Sequence, residues 1–503
     1  MTASFLEAVT KALGDPKWVD TRPETLARYG EHTLPDPARN PLAVLFPGST
    51  KDVEAIVGAA NEFKVPLYPI STGNNIGLGS RAPVAAGQVV VDLGYRMNRI
   101  LDIDEEFCFA EVEPGVSFQM LHDELARRGG KLMMSATSGP PHGGVLGNAL
   151  DRGAGYGPYF DHFGMLCGME VVLGSGQVIR TGDGSLDSEK LLNWHVSKYS
   201  FGPALDGLFA QSNFGVVTRA AVWLMPRPPA ARSFHFIYPD DDDLAEIIDI
   251  CRPLKLSNFV PSLFRITNDL YAVSTEEKNP EYAPGNKKSI SDAARHALQK
   301  RHQLGAWQVS GMFYGASDAA IEPLIQRVRS VFERSGKAVF VSHEQAQDMP
   351  PLRVSIEAMT GTPGITELGM LQWRPGSGNS WFLPGTPMAG RHALELDHLG
   401  RSIFAKYGMD YIVMHVASAR FARGLHVLVW NKDDPDENRR ADDCYKELTV
   451  EFAKRGVNVG RAPIDYQGTH MDQMMPELKE ACSAIKRALD PNGIIAPGKY
   501  GIF

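Results

Sequence analysis

Two stretches of this 503-residue chain are suited to holding a ligand through the backbone. In STGNNIGLGS, the residues Ser71, Thr72, Gly73, Asn74, Asn75, Ile76, Gly77 and Leu78 form a polar, glycine-rich run in which Gly73, Asn74, Asn75 and Gly77 all tolerate left-handed dihedrals. Such a loop can aim several N–H groups at one anion, and a diphosphate suits it because lysine and arginine are sparse nearby. The spacing is not the G-x-G-x-x-G of a Rossmann turn, and alone it reads as a surface turn. A second run, GPPHGGVLGNALDRGAGYGPY, carries Gly143, Gly144, Gly147, Asn148, Asp151, Arg152 and Gly155. Two separate nests imply one long ligand.

The elements around these loops are legible from periodicity. Between Lys51 and Lys64 the residues Val53, Ile56, Val57, Ala60 and Phe63 recur at helical spacing, and VPLYPI then reads as a short buried strand leading into the first loop. GQVVVDLG, FAEVEPGV, MEVVLGSGQVIRTG and GVVTRAAVWLMP are further strands of a mixed α/β lobe. Pro226, Pro228 and Pro229 mark a boundary, since grouped prolines end regular structure. Beyond them DLAEIIDICRPL reads as helix, and WQVSGMFYG and GLHVLVWN as strands, of a second lobe expected to sit over the first as a cap. The segment ELKEACSAIKRALDPNGIIAPGKYGIF is an amphipathic helix stopped by Pro491, followed by a turn that returns to the first lobe. The expected architecture is α+β: a first lobe of residues 1–226 completed by 456–503, and a cap of 227–455.

Composition narrows the partners. With 43% hydrophobic and 22% charged residues the chain is globular, and its 51 basic against 59 acidic residues, net −8, leave no footprint for nucleic acid or an anionic membrane. A small molecule is the expected partner. The five cysteines are scattered without a C-x-x-C pair, so reduced thiols and no metal centre are expected. The first residues lack the pattern of a secretory signal and no run of 18 apolar residues occurs, which makes a cytoplasmic location the expectation.

The sequence resembles the vanillyl alcohol oxidase and p-cresol methylhydroxylase family, at PLYPISTGNNIGLGS, VEPGV, LGNALDRGAGYGPY-x-DH, GMEVVL-x-x-G, DGLF-x-QSNFGVVT, LMP and DPNGIIAPGK. The resemblance implies FAD, bound by a PCMH-type domain, with an antiparallel-sheet cap enclosing an aromatic substrate. It implies that the first loop wraps the FAD pyrophosphate, and that the 143–155 loop and Gly215, Val216 and Val217 of NFGVVT line the flavin and adenine-ribose portions. It places Lys499 near the flavin N1 and C2 carbonyl, where a fixed cation stabilises negative charge. A homodimer, and O2 or a protein such as a cytochrome as electron acceptor, follow from the family in the same way.

The chain also departs from its relatives. Asn379 stands where the family has a flavin-linking histidine and Leu371 where it has a flavin-linking tyrosine. Neither is a nucleophile, so dissociable FAD is expected. Leu78 and Gly460 replace the two tyrosines of the family's phenolate clamp, Gly139 lies nearest to a carboxylate of the oxidase branch, and Arg461 remains as the anchor for an anionic substrate group. Tyr156 matches a family tyrosine beside the substrate. His142, in the second loop, is the candidate general base, with His415 on a cap strand as the alternative. The expected reaction is hydride abstraction from a benzylic or allylic carbon, or a carbinol, of a phenolic or lignin-derived aromatic. A 2-hydroxy acid dehydrogenase and a non-catalytic flavin-binding subunit are the alternatives.

Overall fold

Helix Thr50–Phe63 starts the architecture of the first lobe in the computed structural model, which describes residues 2–503. Ser49 caps it, its Oγ accepting the Asp52 N–H at 3.2 Å, and Lys64 closes it in a left-handed conformation. Val53, Ile56, Val57 and Ala60 face the core, and the chain then enters strand Leu67–Ile70. That strand runs parallel to Val89–Asp92, which runs parallel to Val44–Leu45, with Val19–Asp20 antiparallel at the edge. A second, antiparallel sheet has the order Ile100–Asp104, Phe109–Val112, Gly215–Trp223, Leu166–Leu173, Val178–Arg180. Glu170, buried within it, ties the layers together: its carboxylate takes Arg219 Nη2 at 2.8 Å and the Thr50 hydroxyl at 2.9 Å.

The cap is an eight-stranded antiparallel sheet. Its order is Val339–Val341, Ala230–Tyr238, Trp307–Gly315, Phe264–Asn268, Ile412–Ala417, Phe421–Trp430 and Gly378–Phe382, with Gly385–Pro387 also pairing on Phe421–Trp430. One face packs Phe234, Phe236, Trp307, Phe382 and Trp430 against helices Leu244–Leu256, Asp318–Phe332, Gly390–Lys406 and Pro435–Ala453. The opposite face carries Met312, Met414, Val427 and Val429, and packs with Tyr156 of the first lobe. Strand alternation assigns every residue to one face or the other.

The last stretch packs against strand Leu67–Ile70. Leu67 donates to Ile494 O at 2.8 Å and Ala496 donates to Leu67 O at 2.7 Å. Val457 and Tyr466 pack with the cap's aromatic core. Helix Pro476–Leu489 carries Lys486, a buried ammonium bonded to Asp490 Oδ2, Asn213 O and Ile495 O, each at 2.6 Å. All five cysteines are free thiols. No helix among the described residues is long and apolar enough to cross a membrane.

Candidate active site

The two glycine loops meet, as their chemistry requires. Ser71 lies where a side chain at Gly144 or Gly147 would stand, and Asn74 Nδ2 donates to His142 O at 2.9 Å. Gly73 and Gly77 adopt φ of +66° and +75°, whereas Asn74 and Asn75 stay at negative φ. The N–H groups of Gly73, Asn74, Asn75 and Ile76 donate to no acceptor among the described residues, and Asn75 Oδ1 is buried without a partner. Four free consecutive amides form an anion cradle.

The loops open into one cavity of about 320 Å³. Ser71, Thr72, Gly73, Asn74, Asn75, Ile76 and Leu78 line it from the first loop, and Gly143, Gly144, Gly147, Asn148 and Asp151 from the second. Gly215, Val216, Val217, Lys499, Arg461 and Tyr156 complete the expected set that it brings together. Lys499 sits 4.9 Å above the Tyr68 ring and has no carboxylate within 4 Å among the described residues.

Several expected residues stand elsewhere. Gly77 does not line the cavity; it is pressed against Asn379 and Trp381 of the cap, with no room for a Cβ. Gly155 is packed against Ser135 and His162, and the exposed Arg152 turns outward while its carbonyl accepts from Arg423. The His142 side chain is exposed and off the cavity, so its main chain braces the loop but its imidazole reaches no bound group. His415 fails for a different reason. Its strand presents Met414 and Val416 to the first lobe, which turns His415 into the aromatic core beside Trp307 and His426. Burial holds its imidazole down to about 4, and neither ring nitrogen has a partner. Asp151 lines the cavity but is a carboxylate, unsuited to phosphate: its Oδ2 takes Arg461 Nε and its Oδ1 takes the Tyr500 hydroxyl at 2.8 Å.

A polar group that the sequence reading missed faces the same cavity. Glu367 is buried at 4% exposure, ion-paired with Arg265, and accepts the Tyr271 hydroxyl at 2.8 Å. The Arg265 guanidinium lies 4.7 Å from the Tyr156 ring centre, and its Nε and Nη1 have no partner. Burial raises the Tyr156 and Tyr271 hydroxyls well above 10, which keeps both as neutral donors. Trp381 and Leu425 supply apolar wall from the cap sheet. A charged residue inside the apolar run LFRITND is a signal for Arg265, since such a side chain is seldom buried unless paired. Glu367, in an irregular segment, carries no such signal.

Four free amides, an orphaned Asn75 oxygen and an unpaired Lys499 fit a dinucleotide flavin, and comparison with known proteins agrees. Residues 41–182 match the family described as FAD binding domain. Fold and site define an FAD-dependent oxidoreductase. The chain is 36% identical to the flavoprotein subunit of 4-cresol dehydrogenase (hydroxylating) from Pseudomonas putida, over 99% of this chain and 96% of that protein. It is 31% identical to 1'-carboxy-chondrochloren decarboxylase from Chondromyces crocatus, over 91% and 90%. The crystal structure of p-cresol methylhydroxylase with substrate bound superposes with a TM-score of 0.96, at 35% identity, covering 100% of this chain and 97% of that one. The chain therefore belongs to the p-cresol methylhydroxylase family of flavoproteins.

Proposed function

We propose that the protein takes a hydride from the benzylic or allylic carbon, or the carbinol carbon, of a phenolic or lignin-derived aromatic. The observation that carries this reading is a single cavity lined both by the free amides of the first loop and by Tyr156, Tyr271, Glu367 and Trp381. The relatives named for 4-cresol and p-cresol support the substrate class. Bound FAD supplies the two-electron acceptor. The amides of Gly73 to Ile76 would hold its diphosphate, and Lys499 would supply a positive charge at the flavin end. Arg461, oriented by Asp151, anchors the anionic end of the substrate. Glu367 is the acceptor for the hydroxyl proton of a carbinol, held in place by Arg265 and Tyr271. Leu78, Leu425 and Trp381 exclude water, and Leu78 in place of a tyrosine leaves room along the cavity for a lignin-derived dimer.

FAD is dissociable in this reading, because Asn379 is a buried amide bonded to Leu428 O and Leu371 has no nucleophile. Electrons leave to O2 or to a protein such as a cytochrome, and the working form is a cytoplasmic homodimer. The test is anaerobic bleaching of the flavin absorbance against para-substituted phenols, aryl-ether dimers, benzylic alcohols and hydroxy acids, followed by air. Bleaching by an aromatic is expected; bleaching by hydroxy acids alone would overturn the reading. A yellow band surviving a denaturing gel would refute dissociable FAD.

A further inference from the structure

Strand Phe421–Trp430 presents Leu425 to the cavity, and alternation puts Arg423, two residues earlier and just beyond the cavity lining, on the same face of the strand. The Arg423 guanidinium fills space that a side chain at Gly460 would need: its Nη2 lies 3.0 Å from where a Cβ would stand. Gly460 is bound into the cavity wall, its N–H on Leu383 O at 3.0 Å and its carbonyl on Gln211 Nε2 at 2.9 Å, and both partners line the cavity. Arg461 follows directly. Arg423 donates through Nη1 to Arg152 O at 3.1 Å and has no carboxylate within 4 Å among the described residues. Arg461 spends only Nε on Asp151, and its two terminal nitrogens donate to no protein acceptor.

Of these two neighbouring guanidinium groups only Arg461 is paired with a carboxylate, which leaves the half-buried Arg423 with unspent donors beside it. Burial first, and then the neighbouring Arg461, lower the proton affinity of Arg423, with Asp161 and Asp151 opposing them. Buried charge is ordinarily paired. A phenolate offers one oxygen, whereas a carboxylate offers two, which matches two forked donors. We propose that Arg423 and Arg461 together hold a carboxylate on the aromatic substrate, so that the enzyme prefers aromatic acids to simple phenols. This rests on the aromatic reading of the cavity given above.

The experiment uses the FAD-loaded protein. Binding of 4-methylbenzoate and of uncharged 4-methylbenzamide is followed by perturbation of the flavin absorbance. The acid is expected to bind at least about tenfold more tightly, a difference of about 1.4 kcal/mol. Arg423→Ala should abolish that preference and Arg423→Lys should restore part of it, with melting temperature and FAD content as checks on folding. Equal affinities in the unaltered protein, or a preference untouched in a folded Arg423→Ala, would overturn the proposal. Turnover of 4-(hydroxymethyl)benzoate separates the two readings. Selective binding of the acid with no aromatic able to bleach the flavin leaves the anchor standing and removes the proposed reaction; bleaching by phenols without acid preference does the reverse.

Discussion

Replacing Gly77 by alanine should disconnect the cofactor loop from the cap. Gly77 holds φ at +75°, which costs an L-residue about 1–2 kcal/mol. An added Cβ would collide with Asn379 Oδ1 and with the Trp381 indole. Neither neighbour can step aside freely: Asn379 is fully buried with Nδ2 on Leu428 O, and Trp381 Nε1 donates to Ile76 O at 2.9 Å. Overpacking of this kind costs about 1–3 kcal/mol. Losing the indole hydrogen bond adds about 1 kcal/mol. The sum is about 3–6 kcal/mol, and the cheapest escape is for residues 73–77 to lift off the cap, which moves the amides proposed to hold the diphosphate. Gly77→Ala should therefore weaken FAD binding by at least about a hundredfold, read by flavin fluorescence titration, and lower the melting temperature. Gly87→Ala is the control: φ is +82° there, but nothing lies within 4 Å of the added Cβ, so only backbone strain remains. If Gly77→Ala binds FAD as the unaltered protein does, or matches Gly87→Ala, the close approach of loop and cap is not what orders the loop.

Other perturbations test the supports of the site. His162, His235, His415 and His426 are buried, and burial holds them near 4, 3, 4 and 3 against an unfolded value of about 6.5. The unfolded chain then binds more protons, so stability is complete above 6.5 and falls as pH drops toward 4, by up to about 2 kcal/mol per histidine at pH 5. Urea melts at pH 7 and pH 5 would show it, and equal midpoints would refute it. Lys486→Met strands Asp490 inside the first lobe and should cost about 3–5 kcal/mol in the same melts. Glu367→Gln leaves Arg265 buried without its anion and should destabilise by a similar amount. Adding Arg265→Met should recover much of that stability while activity stays lost; recovery of neither, or of both, would contradict the roles assigned here.

The sequence revealed most where a local rule acts alone. Helix Thr50–Phe63, the strands flanking the first loop and the returning tail all carry period or capping signals that tertiary contacts do not override. Of the first loop's permissive residues, Gly73, Asn74 and Asn75 line the cavity and Gly77 does not. What was hidden depended on facing. His142 and His415 have the right chemistry, but one side chain is exposed and the other turns into the aromatic core, because a strand shows alternate residues to opposite sides and one-dimensional reading cannot tell which side holds the ligand. Glu367 and Tyr271 are about a hundred positions apart, and Arg423 acquires its meaning only beside Gly460. Such pairs become visible when the cap sheet closes over the first lobe.

The closing stretch of the first lobe has a temporal consequence. Strand Leu67–Ile70 borders on Ile494 and Ala496, Asn213 Nδ2 donates to Ala496 O and to Ile502 O, and Tyr500 reaches Asp151. A ribosome delivering this chain has finished the whole cap before those partners emerge, so the nascent first lobe waits, with an open seam, through the synthesis of more than two hundred intervening residues. Residues 494–502 complete the wall of the cofactor cavity only at that stage. The seam offers nascent-chain chaperones a long window in which to act, and ribosomes stalled late in the message should yield caps that are folded beside first lobes that retain no flavin.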